Sequence, residues 1–135
     1  MKNIHYIISG FISYFIAEAI SMLQAYFTEI PPFDNTKFFA MIIIMLVMSF
    51  CTGMMGCLIG FLFKFFQRFV TGINMYFQGI IYFFVIGCMF SLSKGSQYIA
   101  SLDFVIAQFY SVLSAVVFVF FLSYFSKKHL SKQSE

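Results

Sequence analysis

Four long apolar stretches, separated by short polar breaks, limit what this sequence can fold into. They lie at about 4–27, 38–63, 72–93 and 98–125. Each is longer than the about 20 residues that an α-helix needs to cross the hydrocarbon core of a bilayer. Lipid leaves unpaired backbone groups unsatisfied, and the stretches lack the alternation of barrel strands. The sequence therefore predicts an all-α integral membrane bundle of four transmembrane helices.

The composition agrees with a membrane protein and excludes two other classes. Hydrophobic residues make up 61% of the chain and charged residues only 10%, whereas soluble domains carry about 25% charged residues. A soluble domain of 135 residues could not bury that much apolar surface, and disordered chains are poor in apolar residues. We expect residues 1–135 to form a single membrane domain that ends in a short basic tail at 126–135.

The distribution of positive charge orients the predicted helices. One side of the membrane would hold most of the basic residues, namely Lys2, Lys64, Arg68, Lys127, Lys128 and Lys132. Only Lys37 and Lys94 would lie on the other side. Because Lys and Arg are enriched in cytoplasmic segments, we predict that both termini are cytoplasmic and that the loops at 28–37 and 93–97 are outside.

The first stretch also allows a second threading. Lys2, the apolar run after it and Ala17-Glu18-Ala19 resemble a signal peptide with a small-x-small cleavage site. Cleavage would leave three spans in the same orientation. The apolar run continues past this point through Leu23 and Phe27, which favours four spans. An intact mass that lacked the first 19 residues would contradict the four-span prediction.

Glu18 is the only acidic residue well inside a predicted span. A charge at mid-bilayer costs about 2.5–3.5 kcal/mol on insertion scales, and such residues often mark proton or ion pathways. The alternative is that Glu18 hydrogen-bonds a neighbouring helix and holds the bundle together. Counting along straight helices places three further polar side chains near this depth: Gln108, Tyr82 and Ser49. These four residues form the candidate intramembrane polar site.

Small residues at helical spacing predict where the helices pack, because they let backbones approach closely in lipid. The first two spans contain the predicted packing residues Ser13, Ala17, Ser21, Gly53, Gly56 and Gly60. Gly56 and Gly60 have GxxxG spacing. The pattern leaves open whether these helices pack within one chain or between two copies.

No pattern indicates an enzyme, a cofactor or a metal site. The three cysteines lie inside apolar stretches without ligand spacing, and neither a phosphate-binding loop nor an HExxH motif is present. The basic residues are too scattered to bind nucleic acid. We therefore expect no catalytic residues, no cofactor and no nucleic-acid partner.

Two short segments resemble a known family. Ile16-Ala17-Glu18-Ala19-Ile20, in the first span of a four-span chain, resembles the first helix of small multidrug-resistance transporters, and Thr71-Gly72-Ile73-Asn74-Met75-Tyr76 resembles the start of their third helix. The resemblance implies a proton-coupled homodimer with an essential glutamate at Glu18. The chain departs from the family in having no tryptophan, no aromatic third-helix signature and a different fourth helix.

We expect a small non-enzymatic protein of a bacterial plasma membrane, because the richness in Phe, Ile and Lys is typical of AT-rich bacterial genes. Its surroundings would be the lipid bilayer and either a second copy of the chain or another membrane protein. An accessory, immunity-like or partner-binding role is the first hypothesis. A small proton- or cation-coupled transporter using Glu18 is the alternative. A pore-forming lysis protein, which would kill expressing cells, is a third hypothesis.

Overall fold

The chain folds into four long helices in a computed structural model that describes residues 3–29, 35–93 and 101–131. The helices are α1 (Asn3–Glu29), α2 (Asn35–Phe69), α3 (Met75–Ser93) and α4 (Leu102–Ser131). The described part of the chain contains no strand, and all four helices are long and apolar enough to cross a membrane. The predicted all-α membrane fold with four spans is confirmed.

The helix ends differ from the predicted bounds around the second polar break. Residues 64–69, which follow the second predicted span, are also helical, so α2 ends only at Phe69, before a short turn that contains Gly72 at a φ of +87°. Lys and Gln are good helix formers. Two side chains in this last part of α2 also form hydrogen bonds with α1. Lys64 Nζ donates to Asn3 Oδ1 at 2.7 Å, and Gln67 Oε1 accepts a hydrogen bond from Tyr6 at 2.8 Å.

Glycines bring α1 and α2 into direct backbone contact. A Cβ on Gly10 would collide with the carbonyl oxygen of Gly56 and would lie 3.0 Å from Gly60 Cα. A Cβ on Gly60 would in turn collide with the carbonyl oxygen of Tyr6. The GxxxG pair of α2 therefore packs against α1 of the same chain, as small residues allow helices to do in lipid.

The other predicted packing residues have different surroundings. Ser13 and Ala17 are buried, and half-buried Ser21 lines a cavity described below. Gly53 faces a side chain rather than a backbone, since a Cβ there would lie 2.8 Å from the ring of Phe11.

An aromatic cluster joins α2, α3 and α4. The buried rings of Phe63 and Phe83 both pack on Phe118, with centroids 5.1 and 5.2 Å away. Tyr82 packs on Phe63 at 5.2 Å. The pairs of Phe63 with Phe118 and with Tyr82 are edge-to-face, and such pairs contribute about 0.5–1.5 kcal/mol each beyond the area that they bury.

The four helices do not contact one another equally. Helix α1 packs on α2 and α4, and α3 packs mainly on α4, whereas α2 and α3 meet at few points. An apolar groove of about 670 Å³ lies between α2 and α3, with Tyr82 and Phe66 in its wall. The first and last helices therefore share the interface that contains the polar cavities.

Candidate functional site

A polar cleft of about 340 Å³ lies between α1 and α4. It is lined by four residues of each helix: Tyr14, Ala17, Glu18 and Ser21 of α1, and Ala107, Tyr110, Ser111 and Ser114 of α4. We call this cavity the Glu18 cleft. It exists because most of these side chains are small, so that the two helices leave space between them at this level.

The half-buried carboxyl group of Glu18 faces this cleft and makes no hydrogen bond or ion pair with any residue that the structure describes. None of the eight lining residues is basic. The interhelical hydrogen bond that the structural hypothesis for Glu18 requires is therefore not present among residues 3–29, 35–93 and 101–131. Within those ranges the carboxyl group of Glu18 faces an open polar space and no side chain that hydrogen-bonds to it.

Two serines of α4 present hydrogen-bond acceptors to the cleft. Ser111 Oγ donates to the carbonyl oxygen of Ala107 at 3.1 Å, and Ser114 Oγ donates to that of Tyr110 at 2.9 Å. A hydroxyl group has one proton and two lone pairs, so both serines have used their proton on their own helix. Together with the carboxyl oxygen atoms of Glu18 they make the cleft rich in acceptors, which suits a cation or a hydrogen-bond donor.

A second cavity, of about 200 Å³, continues from the cleft toward the C-terminal end of α1. We call it the helix-end cavity, and Gln24 and Thr28 are in its wall. Ser21 and Tyr110 border both the cleft and this cavity. The Tyr110 hydroxyl donates to Gln24 Oε1, from α4 to α1. This hydrogen bond crosses the α1–α4 interface at a level between Glu18 and the C-terminal end of α1.

A third cavity, of about 150 Å³, extends from the cleft in the direction of α3. It shares Tyr14, Ala107 and Ser111 with the Glu18 cleft, and α3 contributes Gly87 and Ser91 to its wall. We call it the inner chamber. The three cavities together follow the α1–α4 interface from the end of α1 to a point where α1, α3 and α4 meet.

The four residues of the predicted polar layer do not form one hydrogen-bonded group in the part of the chain that the structure describes. Gln108 is buried and its Nε2 donates to Ser91 Oγ at 3.4 Å, between α4 and α3. The Tyr82 hydroxyl donates to the carbonyl oxygen of Ile59 at 2.9 Å, between α3 and α2. Ser49 is fully buried on α2, and its Oγ has no hydrogen-bond partner among the described residues. No hydrogen bond joins any of these three side chains to Glu18 within the described ranges.

Sequence reasoning did not single out Gln24 and Tyr110 of the cleft region, or a polar cluster at the turn between α2 and α3. In that cluster Gln78 Nε2 donates to the carbonyl oxygens of Val70 and Ile73 at 2.7 and 2.9 Å. Gln67 Nε2 donates to Gln78 Oε1 at 3.4 Å. In the sequence this cluster is indicated by Gln67 and Gln78, which lie on either side of a short break between two apolar stretches.

No family model matches the chain, and no curated protein or solved structure matches it either. Among the residues that the structure describes, no group of three or more His, Cys, Asp or Glu side chains could hold a metal ion. The interpretation of the site therefore depends on the geometry of the cleft.

Proposed function

We propose that this chain is a small non-enzymatic transporter of a bacterial plasma membrane, coupled to protons or cations, in which Glu18 is the charged group of the binding site. The observation that carries the proposal is the Glu18 carboxyl group, which faces an acceptor-rich cleft without a partner among the described residues. The accessory role that the sequence favoured first has no comparable support at this site.

The physical cost of a carboxyl group in a membrane supports this choice. An intramembrane acidic side chain is retained where it is neutralised, paired or hydrated. Glu18 has no basic neighbour in the cleft, and the helix-end cavity gives water a route toward it. Binding sites near the middle of the bilayer, between packed helices, are typical of secondary transporters.

The first test is a growth assay on expressing bacteria. Cells with the wild-type chain would grow at higher external concentrations of a toxic cation than cells with an empty vector, across a panel of alkali and organic cations. Glu18→Gln would abolish this protection because the amide has no charge. Asp103→Asn is the matched control, since it makes the same change in the first turn of α4, outside the cleft.

Immunoblots of isolated membranes would establish equal amounts of the three proteins. Cation-driven or proton-driven flux in proteoliposomes would then give the direct measurement. Equal tolerance of wild-type and Glu18→Gln cells across the panel, together with equal flux, would contradict the proposal.

The groove between α2 and α3 supports a partner-binding role as the second candidate. Its wall is almost entirely apolar and contains Leu62, Val85 and Met89, all of which are exposed. A helix of another membrane protein or of a second copy would bury these side chains. Met89→Trp would fill the groove and reduce crosslinking of the chain to its partner in cells. Leu92→Trp is the matched control, because Leu92 is exposed on the same helix outside the groove.

A further inference from the structure

Glu18 and Ser21 are three positions apart on α1, and both line the Glu18 cleft. Residues at this spacing are neighbours on a helix surface, with Cβ atoms about 5–6 Å apart. Ser21, like Glu18, makes no side-chain hydrogen bond with any residue that the structure describes. Its hydroxyl group therefore has a proton and two lone pairs available beside the carboxyl group.

The opposite wall of the cleft adds an oxygen atom from Ser114 of α4. Ser114 is only 4% exposed, and its Oγ donates to the carbonyl oxygen of Tyr110 at 2.9 Å. Since its proton is used on its own helix, this hydroxyl group can only accept a further hydrogen bond. Glu18, Ser21 and Ser114 together offer acceptors to a ligand, and none of the eight lining residues is basic.

Much of the remaining wall of the cleft is apolar. It contains the methyl groups of Ala17 and Ala107 and the side chain of Tyr14. Hydrocarbon surface of this kind is more favourably covered by another hydrocarbon group than by water. The cleft therefore has acceptors for a cationic head group and apolar surface for a short hydrocarbon chain attached to it.

We propose that the Glu18 cleft binds a small primary amine in its ammonium form, with the ammonium group at Glu18 and Ser21 and with Ser114 as a further acceptor. The inference deepens the proposed function, on which it rests, by naming the chemical class of the cation. An alkyl amine, like the lysine side chain, is protonated at neutral pH. Its ammonium group has three N–H donors, and acceptors in the cleft replace the water that these donors lose.

The volume of the cleft favours an organic cation over an alkali metal ion. The cleft measures about 340 Å³, which is the space of about eleven water molecules at about 30 Å³ each. A metal ion in that space stays largely hydrated and leaves the apolar wall in contact with water. Sites for small molecules measure about 300–1,000 Å³, so this cleft suits a ligand at the small end of that range.

The acceptors also favour a primary amine over its quaternary analogue. A trimethylammonium group has no N–H, so it leaves the oxygen atoms of Ser21 and Ser114 without a donor. A site that hydrogen-bonds a substrate N–H discriminates against an analogue that lacks it, because buried polar groups are then left unpaired.

The test is equilibrium binding of radioactive butylamine to the purified full chain in lipid nanodiscs at neutral pH, with empty nanodiscs as the blank. Wild-type protein should show saturable binding that unlabelled butylamine competes. N,N,N-trimethylbutylammonium has the same chain and should compete at least about tenfold less well. Equal competition by the two compounds, or by Na⁺ and butylamine, would overturn the inference. Absence of saturable binding in the wild type would also overturn it, and needs no variant to fold.

Two serine variants test the acceptors directly. Ser21→Ala and Ser114→Ala should each weaken the binding of butylamine by about fivefold or more, because each removes a hydrogen-bond acceptor. Ser93→Ala is the matched control, since Ser93 Oγ also donates to its own helix, to the carbonyl oxygen of Phe90 at 2.6 Å, but lies outside the cleft. Wild-type affinity in both cleft variants would overturn the proposed placement of the ammonium group.

Glu18→Gln separates the inference from the proposed function. Loss of butylamine binding in Glu18→Gln, with retention in Asp103→Asn, supports the inference. If cation tolerance and flux depend on Glu18 but the wild type does not bind butylamine, the amine is overturned and the proposed function stands. If wild type and Glu18→Gln bind butylamine equally and also give equal tolerance and flux, both are overturned.

Discussion

Gly10 of α1 lies so close to Gly56 of α2 that a Cβ on Gly10 would collide with the carbonyl oxygen of Gly56. The contact is between two backbones, so no change of side-chain rotamer could make space for an added methyl group. Helix α1 therefore packs on α2 through this backbone contact, and it packs on α4 through the residues around Glu18.

Gly10→Ala should therefore destabilise the bundle. Overpacking of a tight contact costs about 1–3 kcal/mol, and thermal unfolding followed by circular dichroism in detergent would show a lower Tm. Gly53→Ala is the matched control, because its Cβ would meet the ring of Phe11 rather than a backbone, and a ring can move. A Tm for Gly10→Ala equal to that of the wild type would contradict the backbone contact.

Tyr110→Phe should open the route from the end of α1 to the Glu18 cleft. The substitution removes the hydrogen bond to Gln24 that crosses the interface there. In a background without the native cysteines, Ser21→Cys should then react several times faster with a membrane-impermeant thiol reagent. Tyr124→Phe, an exposed tyrosine of the same helix, should leave the rate unchanged. Unchanged labelling in Tyr110→Phe would mean that this bond does not limit access.

Tyr82→Phe should lower stability with little change in ring packing. The phenylalanine keeps the contacts with Phe63 but loses the 2.9 Å hydrogen bond to the carbonyl oxygen of Ile59. Interhelical hydrogen bonds in membranes average about 0.6 kcal/mol, so the drop in unfolding free energy should be of that order. Tyr76→Phe, at an exposed position of α3, provides the comparison. A drop of the same size in both variants would count against a contribution from the Ile59 bond.

Gln78→Met should loosen the turn between α2 and α3. The methionine has similar length but cannot donate to the carbonyl oxygens of Val70 and Ile73. Hydrogen exchange of the amides at 70–74 should become faster while exchange in α1 stays the same. If exchange at 70–74 does not change, the turn is held by its backbone alone.

The orientation of the bundle is a prediction from charge alone and has a direct test. A fluorescent protein fused to the C-terminus should be fluorescent, and alkaline phosphatase fused at the same point should be inactive, because both termini should be cytoplasmic. The opposite pair of results would reverse the orientation. The positions of the helices in the fold would not change.

The sequence predicted the helices well because long apolar runs in lipid leave the backbone no other way to satisfy its hydrogen bonds. It did not predict that the helix of the second span continues to Phe69, since Lys64 and Gln67 look like a polar break. In the structure both side chains form hydrogen bonds with α1. Contacts between helices cannot be predicted from the residues of one segment alone.

The candidate site was predicted in part. Glu18 is recognisable from the sequence because an acidic residue in a span is rare. Its grouping with Gln108, Tyr82 and Ser49 depended on depth along straight helices. Depth gives the level of a residue in the membrane but not the direction in which it points around its helix. The structure places Glu18, Gln108 and Tyr82 at three different helix interfaces.

The pairing of α1 with α4 has a consequence for how the protein is made. Glu18 leaves the ribosome with the first helix, and Ser114, on the opposite wall of the cleft, leaves it nearly 100 residues later. During that interval α2 covers the glycine face of α1, while the face with Glu18 has no wall. In the nascent chain the carboxyl group of Glu18 therefore lacks the α4 side of its cleft until the last helix inserts. In any chain truncated before α4 it lacks that side permanently.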